Sequence, residues 1–335
     1  MWRLETRSDL GKKFLQSEQI LLMALAGAML LGAFSRFASA QPVEVRVSYS
    51  SISAGQGSIW IPQEEGLFAK EGLNVKLLYI RSGSTSAQVL VSNEVQFGHF
   101  SAIAALQAWS QGIDLVWLGT TTNSLVFTLL THPSIRAPQD LRGKTVGTTR
   151  PGSAADFSAR IALKSMNVDF ASVKFLSLGE LPAILASLES GVVQAGALPP
   201  PFSTMARKKG FHPMVFIPNL KEKFTLAGIV GMRTFVENNP RVCRPFMKAV
   251  TEGAAVYKNN PEVSLRVLRR YMKTDDLDMI REGYREYEDA ISSPPVPDFR
   301  GLESVKEALA AGSPKIRKMK LQDFVDESCL RAAGR

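Results

Sequence analysis

The chain has 335 residues, 45% of them apolar and 21% charged, with 25 Gly and 18 Pro, enough for one large or two medium globular domains. Its 40 Lys/Arg against 31 Asp/Glu leave a net charge of +9. That excess is scattered, and no basic block with interleaved aromatics occurs, which excludes nucleic acid as an expected partner; a small anion or an anionic membrane surface suits it better.

Arg3, Arg7, Lys12 and Lys13 precede an uncharged apolar run over 20–35, and Ala38-Ser39-Ala40 stands before Gln41-Pro42. A basic start, an apolar run short for a membrane span and an A-x-A site describe a secretory signal over 1–40, cut after Ala40. An uncleaved anchor is the competing reading, since the leader is long and Arg36 sits near the cut. No Cys lies near the cut, so a lipid anchor is not expected. Removing 1–40 leaves 35 basic against 28 acidic residues, or +7. Cys243 and Cys329 either pair in an oxidising compartment or stay as two buried thiols; spacing alone does not choose.

From residue 43 the chain alternates strands and helices. A period-two strand over 43–49 ends in a Gly/Ser turn, 50–58, and a helix follows. Then come a strand at 75–80, the turn 81–84, a helix at 85–92, a short strand at 95–98, a helix at 101–111 and a strand at 115–119. Such spacing predicts parallel α/β units. The apolar run 125–130 leads out toward 137–141. A buried strand at 144–148, the turn Arg150-Pro151-Gly152-Ser153 and a helix at 154–166 repeat the opening device. The strand-like stretch 224–232 leads back, and 233–335 is helical, with Pro240 in the first turn of a helix striped by Phe246, Val250, Ala254 and Tyr257.

An internal repeat organises these elements. Shifting 75–112 by 98 positions lays it on 173–210 without a gap and gives ten identities over 38 positions, among them Gln96 on Gln194 and Gly98 on Gly196. We therefore expect an α/β chain of two similar lobes, 42–132 plus 233–335 and 135–225, joined by a two-strand hinge near 125–134 and 224–232.

Parallel strands deliver their carboxyl-end loops to one crevice, where ligands of open α/β sheets bind. The loops offer hydroxyls, free N–H groups and helix starts suited to a small oxyanion or polar head. The candidate ligand-binding residues are Ser51, Ser53, Gln56, Gly83, Ser84, His99, Ser101, Thr149, Arg150, Gly152, Ser153 and Phe202. His99 faces the crevice either as a ligand contact or as a packing and hydrogen-bonding residue. Tyr49, Trp60 and Phe100 are further aromatic candidates, with Trp60 equally suited to the core. Asp156 reads as a partner for helix N-terminal donors. No H-E-x-x-H, C-x-x-C, G-x-S-x-G or G-x-x-x-x-G-K-[ST] occurs, so no metal, cofactor or catalytic residue is expected.

Five stretches carry a resemblance: Gln63-Glu-Glu-Gly-Leu-Phe-Ala-Lys-Glu-Gly-Leu-Asn-Val75, Ser92-Asn-Glu-Val-Gln-Phe-Gly98, the run from His132 to Gly147, Pro151-Gly-Ser-Ala-Ala-Asp156, and Leu188-Glu-Ser-Gly-Val-Val-Gln-Ala195 through Pro200-Pro201. Together they resemble the substrate-binding proteins of bacterial ABC importers, in the branch that includes nitrate, alkanesulfonate, taurine and thiamine-precursor binders (SsuA/THI5-like). The resemblance implies a two-lobe periplasmic binding-protein fold of type II, each lobe a mixed, mainly parallel sheet flanked by helices. It implies a non-enzymatic, exported, monomeric receptor that closes on a small-molecule solute and meets ABC permease transmembrane subunits. Gln96 and Gln194 stand where this branch usually has Asp, a difference that reads as structural. A fold-related enzyme and a membrane-anchored sensor of a neutral, pyrimidine-like metabolite are the alternatives.

Overall fold

The computed structural model describes residues 41–310 and 312–331; the expected signal segment lies outside them. Among the described residues, no helix is long and apolar enough to cross a membrane.

The first half of the chain runs β1 (Val43–Tyr49), α1 (Gly57–Glu64), α2 (Leu67–Lys70), β2 (Leu73–Tyr79), α3 (Gly83–Val91), β3 (Phe97–Ser101), α4 (Ala102–Ser110), β4 (Leu115–Thr122) and β5 (Thr128–Thr131). The second half of the sheet-forming chain runs β6 (Thr145–Thr148), α5 (Ala154–Ser165), β7 (Lys174–Ser177), α6 (Leu181–Glu189), β8 (Ala195–Leu198), α7 (Phe202–Lys208), β9 (His212–Phe216) and β10 (Ala227–Met232).

Two five-stranded sheets result, in the orders β2-β1-β3-β10-β4 and β7-β6-β8-β5-β9. In each, four strands run in one direction and the fifth, β10 or β5, runs antiparallel between its neighbours. The topologies are the same. Strand β5 follows β4 in the chain yet lies in the second sheet, and β10 follows β9 yet lies in the first. Each lobe thus holds a strand reached by crossing from the other. Thr128–Thr131 and Ala227–Met232, which fall within the stretches expected to be hinge, are these two strands; the chain passes between sheets at 123–127 and 217–226.

The 98-residue shift carries α3 onto α6 end to end, with the preceding and following strands in matching places. The equivalent glutamines do equivalent work. Gln96 Oε1 accepts the Arg46 N–H at 2.8 Å, and Gln194 Oε1 accepts the Thr145 N–H at 3.1 Å. Each satisfies a donor on the neighbouring parallel strand, β1 or β6, that would otherwise be left over. Their role is structural in both lobes.

The C-terminal helices are α8 (Arg233–Asn238), α9 (Pro240–Asn259), α10 (Pro261–Met272), α11 (Leu277–Glu288), α12 (Phe299–Ala310), α13 (Pro314–Lys318), α14 (Leu321–Phe324) and α15 (Ser328–Arg331). Along α9, Cys243, Phe246, Met247, Val250, Ala254 and Tyr257 recur at helical spacing and are buried. Phe246 stacks on Phe97 of β3 at 4.3 Å and on Phe68 of α2 at 5.3 Å, which anchors α9 to the first sheet. Cys243 and Cys329 form a disulfide across 86 residues of chain, with Cα atoms 5.7 Å apart, tying α15 to α9. Trp60 belongs to the core, stacked on Tyr271 at 4.7 Å.

Candidate solute site between the lobes

The carboxyl ends of the parallel strands in both sheets face a common cavity of about 60 Å³, room for a few waters or a small solute. Five helix starts converge on it. Gly55 and Gln56 come from the short turn into α1, Ser82 and Gly83 from the start of α3, Ser101 from that of α4, Ser153 to Ala155 from that of α5, and Glu180 and Leu181 from that of α6. Three of these pairs are related by the repeat: Ser82 with Glu180, Gly83 with Leu181, and Ser101 with Pro199, all in the wall. Equivalent turns of the two lobes therefore oppose each other across the cavity. The first lobe supplies hydroxyls and glycine where the second supplies a carboxylate, a leucine and a proline.

The start of α5 illustrates the local chemistry. Ser153 is its N-cap, and its Oγ accepts the Asp156 N–H at 3.2 Å and the Thr149 hydroxyl at 2.7 Å. With its oxygen so engaged, the Ser153 proton is free to donate. The N–H groups of Ala154 and Ala155, the first two of the helix, have no intrahelical partner, and both residues line the cavity. Asp156 does not oppose this seat. Its Oδ2 accepts the Gly152 N–H at 3.1 Å, and its Oδ1 pairs with Arg160 at 3.0 Å.

In the first lobe, Ser101 caps α4 by accepting the Ala104 N–H at 3.3 Å. Ser82 sits at φ 74° and ψ 145° without being glycine, a backbone setting that costs roughly 1–3 kcal/mol and concentrates at functional sites. Gly55 is required by packing, because a Cβ there would overlap the Tyr287 ring. The Tyr287 hydroxyl pairs with Ser53, and burial raises its pKa. Burial, followed by the nearby Glu180, also pushes the Tyr79 phenol up to about 12, so both phenols stay neutral and available for hydrogen bonding.

Among the described residues lining the cavity there is no Lys or Arg, and Glu180 is the one ionisable carboxylate. Arg81 holds it from the opposite lobe, Nε to Oε2 at 3.3 Å. On the far side, Arg207 of α7 reaches Glu282 and, at 3.2 Å, Glu286 on α11, while Lys208 pairs with Asp276 at 2.8 Å. Among the described residues, no cluster of three His, Cys, Asp or Glu side chains is arranged to hold a metal ion.

Of the residues singled out from the sequence, Ser51, Ser53, Gln56, Gly83, Ser101, Thr149 and Ser153 come together on the cavity wall. Five others lie off it. The Ser84 hydroxyl turns to Ser82 at 2.9 Å. His99 lies behind Gln56, Arg150 is exposed, and Phe202 packs at the start of α7. Gly152, at φ 73°, abuts the Gln107 side chain of α4, so it serves the turn and the contact between lobes rather than the wall. The aromatic groups lining the cavity are Tyr79, Phe127 and Tyr287, whereas Tyr49 packs edge-on to Trp60 and Phe100 is buried in the sheet. Ser50, in the turn 50–58 after β1, also lies on the wall, and sequence reasoning passed over Thr122, Leu226 and Ala227, which flank the crossings between lobes. Glu180, Leu181 and Pro199 were within reach, since the repeat maps them onto Ser82, Gly83 and Ser101. Tyr287 carried no such signal.

Two matching α/β lobes, two crossing strands and helix starts from both lobes around one small cavity define the periplasmic binding-protein fold. The chain belongs to the NMT1/THI5-like family, whose profile matches residues 57–264. It is 23% identical over 267 residues to a putative binding protein of Brucella abortus (strain 2308), covering 77% of this chain and 81% of that one. It is similar in structure to a protein of Bordetella bronchiseptica RB50, with TM-score 0.79 and 18% identity over 88% of this chain and 97% of that one. It is also similar to the periplasmic aliphatic sulphonate binding protein SsuA from Escherichia coli, with TM-score 0.67 and 18% identity over 84% and 99% of the two chains.

Proposed function

We propose that this protein is an exported solute receptor of an ABC importer, capturing a small anionic or polar organic solute between its lobes and presenting it to a membrane permease. The observation that carries this reading is the meeting of helix starts from both lobes on one small cavity. Unpaired N–H groups of Ala154 and Ala155 and the hydroxyls of Ser51, Ser101 and Ser153 provide fixed donors, the electrostatic setting in which an oxyanion is held without a formal counter-charge. Walls drawn from both lobes give the solute a larger interaction with the closed form than with an open one, which is what makes closure respond to ligand. The sulphonate-binding structural relative supports an oxyanion-bearing solute.

Glu180 favours a second reading within the same site, a solute with an N–H or ammonium group beside its oxygens, because a bare anion gains nothing from that carboxylate. Titration calorimetry against nitrate, methanesulfonate, 2-aminoethanesulfonate and a neutral aminopyrimidine separates the readings. Binding of the neutral compound alone would overturn the anion seat.

Export rests on the 1–40 leader and gains support from the Cys243–Cys329 disulfide, which belongs in an oxidising compartment. Amino-terminal sequencing of the protein recovered from the cell envelope should begin at Gln41; a chain beginning at Met1 in the membrane fraction would reject cleavage.

A further inference from the structure

His99 is wholly buried in β3, and its two ring nitrogens have different neighbours. Nδ1 lies 2.5 Å from Gln56 Oε1, and Nε2 lies 2.6 Å from Thr121 Oγ1. Gln56 Nε2 in turn donates to Ser51 Oγ at 2.9 Å, and Ser51 Oγ is 3.1 Å from Ser53 Oγ. On the other side, Thr121 Oγ1 is 3.1 Å from the Ala227 carbonyl of β10. A buried polar chain therefore runs from the crossing strand, through the imidazole, to hydroxyls in the cavity wall.

The protons in this chain are not independent. With an amide and a hydroxyl as its polar neighbours and burial lowering its pKa to about 3, the ring is neutral, with one N–H and one lone pair. In one arrangement Nδ1–H donates to Gln56 Oε1, Thr121 donates to Nε2, and the Gln56 amide nitrogen donates to Ser51. The Ser51 proton is then left for Ser53 or for a solute. In the other arrangement Nε2–H donates to Thr121, whose own proton goes to the Ala227 carbonyl. Nδ1 then needs a donor, so the Gln56 amide is reversed and its oxygen takes the Ser51 proton. Ser51 now offers the cavity only lone pairs. The imidazole tautomer thus decides whether Ser51 presents a hydrogen or an acceptor. The structure turns the Gln56 oxygen toward Nδ1 and holds Thr121 Oγ1 closer to Nε2, at 2.6 Å, than to the Ala227 carbonyl, at 3.1 Å, and both relations favour the first arrangement.

We propose that His99 is a positioning residue for the solute site: in its Nδ1–H form it fixes the Gln56 amide and leaves the Ser51 hydroxyl as a donor toward an oxygen-rich solute. This rests on the reading of the cavity as the solute site and adds a polarity selector one layer behind its wall.

Nitrogen NMR of the mature, histidine-labelled protein tests the proposal directly, since the chain has 3 histidines and the other two are His132 and His212. The His99 ring is expected to carry its proton on Nδ1 with Nε2 bare. An Nε2–H ring, or a doubly protonated one at neutral pH, overturns the proposal whatever the protein binds. Paired variants supply the second readout, with methanesulfonate as the calorimetric probe. His99→Gln places an amide near the Nε2 position, and it should weaken binding at least tenfold. His99→Asn places a donor near Nδ1 and should restore most of that loss. Equal losses in the two variants would reduce His99 to a packing residue. A wild-type protein that ignores methanesulfonate yet shows the Nδ1–H ring would sink the anion reading and leave the tautomer assignment standing.

Discussion

Arg81 and Glu180 meet across the cleft at 3.3 Å, each from the turn between the second strand and the following helix of its own lobe. The ion pair joins the two lobes at the cavity edge while holding the one carboxylate of the wall. Arg81 is 67% exposed in its side chain, so the pair itself contributes at most about 1 kcal/mol to stability. Its larger effect is expected on a solute bound in the cavity. Arg81→Ala should weaken methanesulfonate binding by roughly fivefold, because Glu180 is then left unpaired beside an anion, and Glu180→Gln should tighten it by a similar factor. Calorimetry at low and high salt checks both; unchanged affinity in the two variants would place Glu180 away from the solute.

The seat at α5 can be taken apart donor by donor. Ser153→Ala removes a hydroxyl that both caps the helix and faces the cavity, so two losses are expected. These are about 1 kcal/mol of stability in urea unfolding and about tenfold or more in anion affinity, one charge-assisted hydrogen bond.

Ala154→Pro is the sharper test of the backbone donors. Ala154 is the first helical residue, and Ser153 before it is extended, with φ −80° and ψ 167°, so proline fits the helix start. The substitution deletes one cavity-facing N–H. Anion affinity should fall about tenfold with unfolding midpoint unchanged or raised, whereas Ala154→Gly should keep the affinity. Retained binding in the proline variant would show that this N–H does not touch the solute.

The disulfide should matter to the whole fold. Closing a loop of 86 residues restricts the unfolded chain by about 4.5 kcal/mol in the chain-entropy account. Reduction, or the Cys243→Ser and Cys329→Ser pair, should therefore cost roughly 2–5 kcal/mol. Urea titrations with and without reductant measure it, and coincident curves would mean that the bridge adds nothing.

The buried His99 ring predicts an acid sensitivity of definite sign. Its folded pKa is lowered from 6.5 to about 3 by burial, so below pH 6.5 the unfolded chain binds a proton that the native state refuses. Stability is then full above that point and falls as the pH drops toward 3, by about 1.4 kcal/mol per unit. Between pH 7 and pH 5 the wild-type protein should lose about 2 kcal/mol more than His99→Gln does. Parallel losses in the two proteins would assign the sensitivity to other groups.

The alternation of strands and helices, the repeat joining 75–112 to 173–210 and the turn that brings Ser153 to a helix start were legible in the chain itself. They depend on local physics: period-two and period-3.6 apolar patterns, turn residues and serine at helix starts. The same repeat placed equivalent loops in equivalent lobes, and seven of the twelve chosen site residues lie on the cavity.

What the tertiary structure alone decided concerns side-chain direction and the meeting of distant segments. His99 follows the strand expected at 95–98, yet in the structure it lies inside β3, buried, where Gln56 and Thr121 satisfy its ring. Tyr287 arrives in the wall from α11, with no local pattern to announce it. Arg81 finds Glu180 only because the lobes face each other, and Cys243 finds Cys329 only because α15 returns to α9. Propensity and periodicity act over a few residues, whereas these contacts are set by how two lobes and a helical tail pack, so no spacing along the chain encodes them.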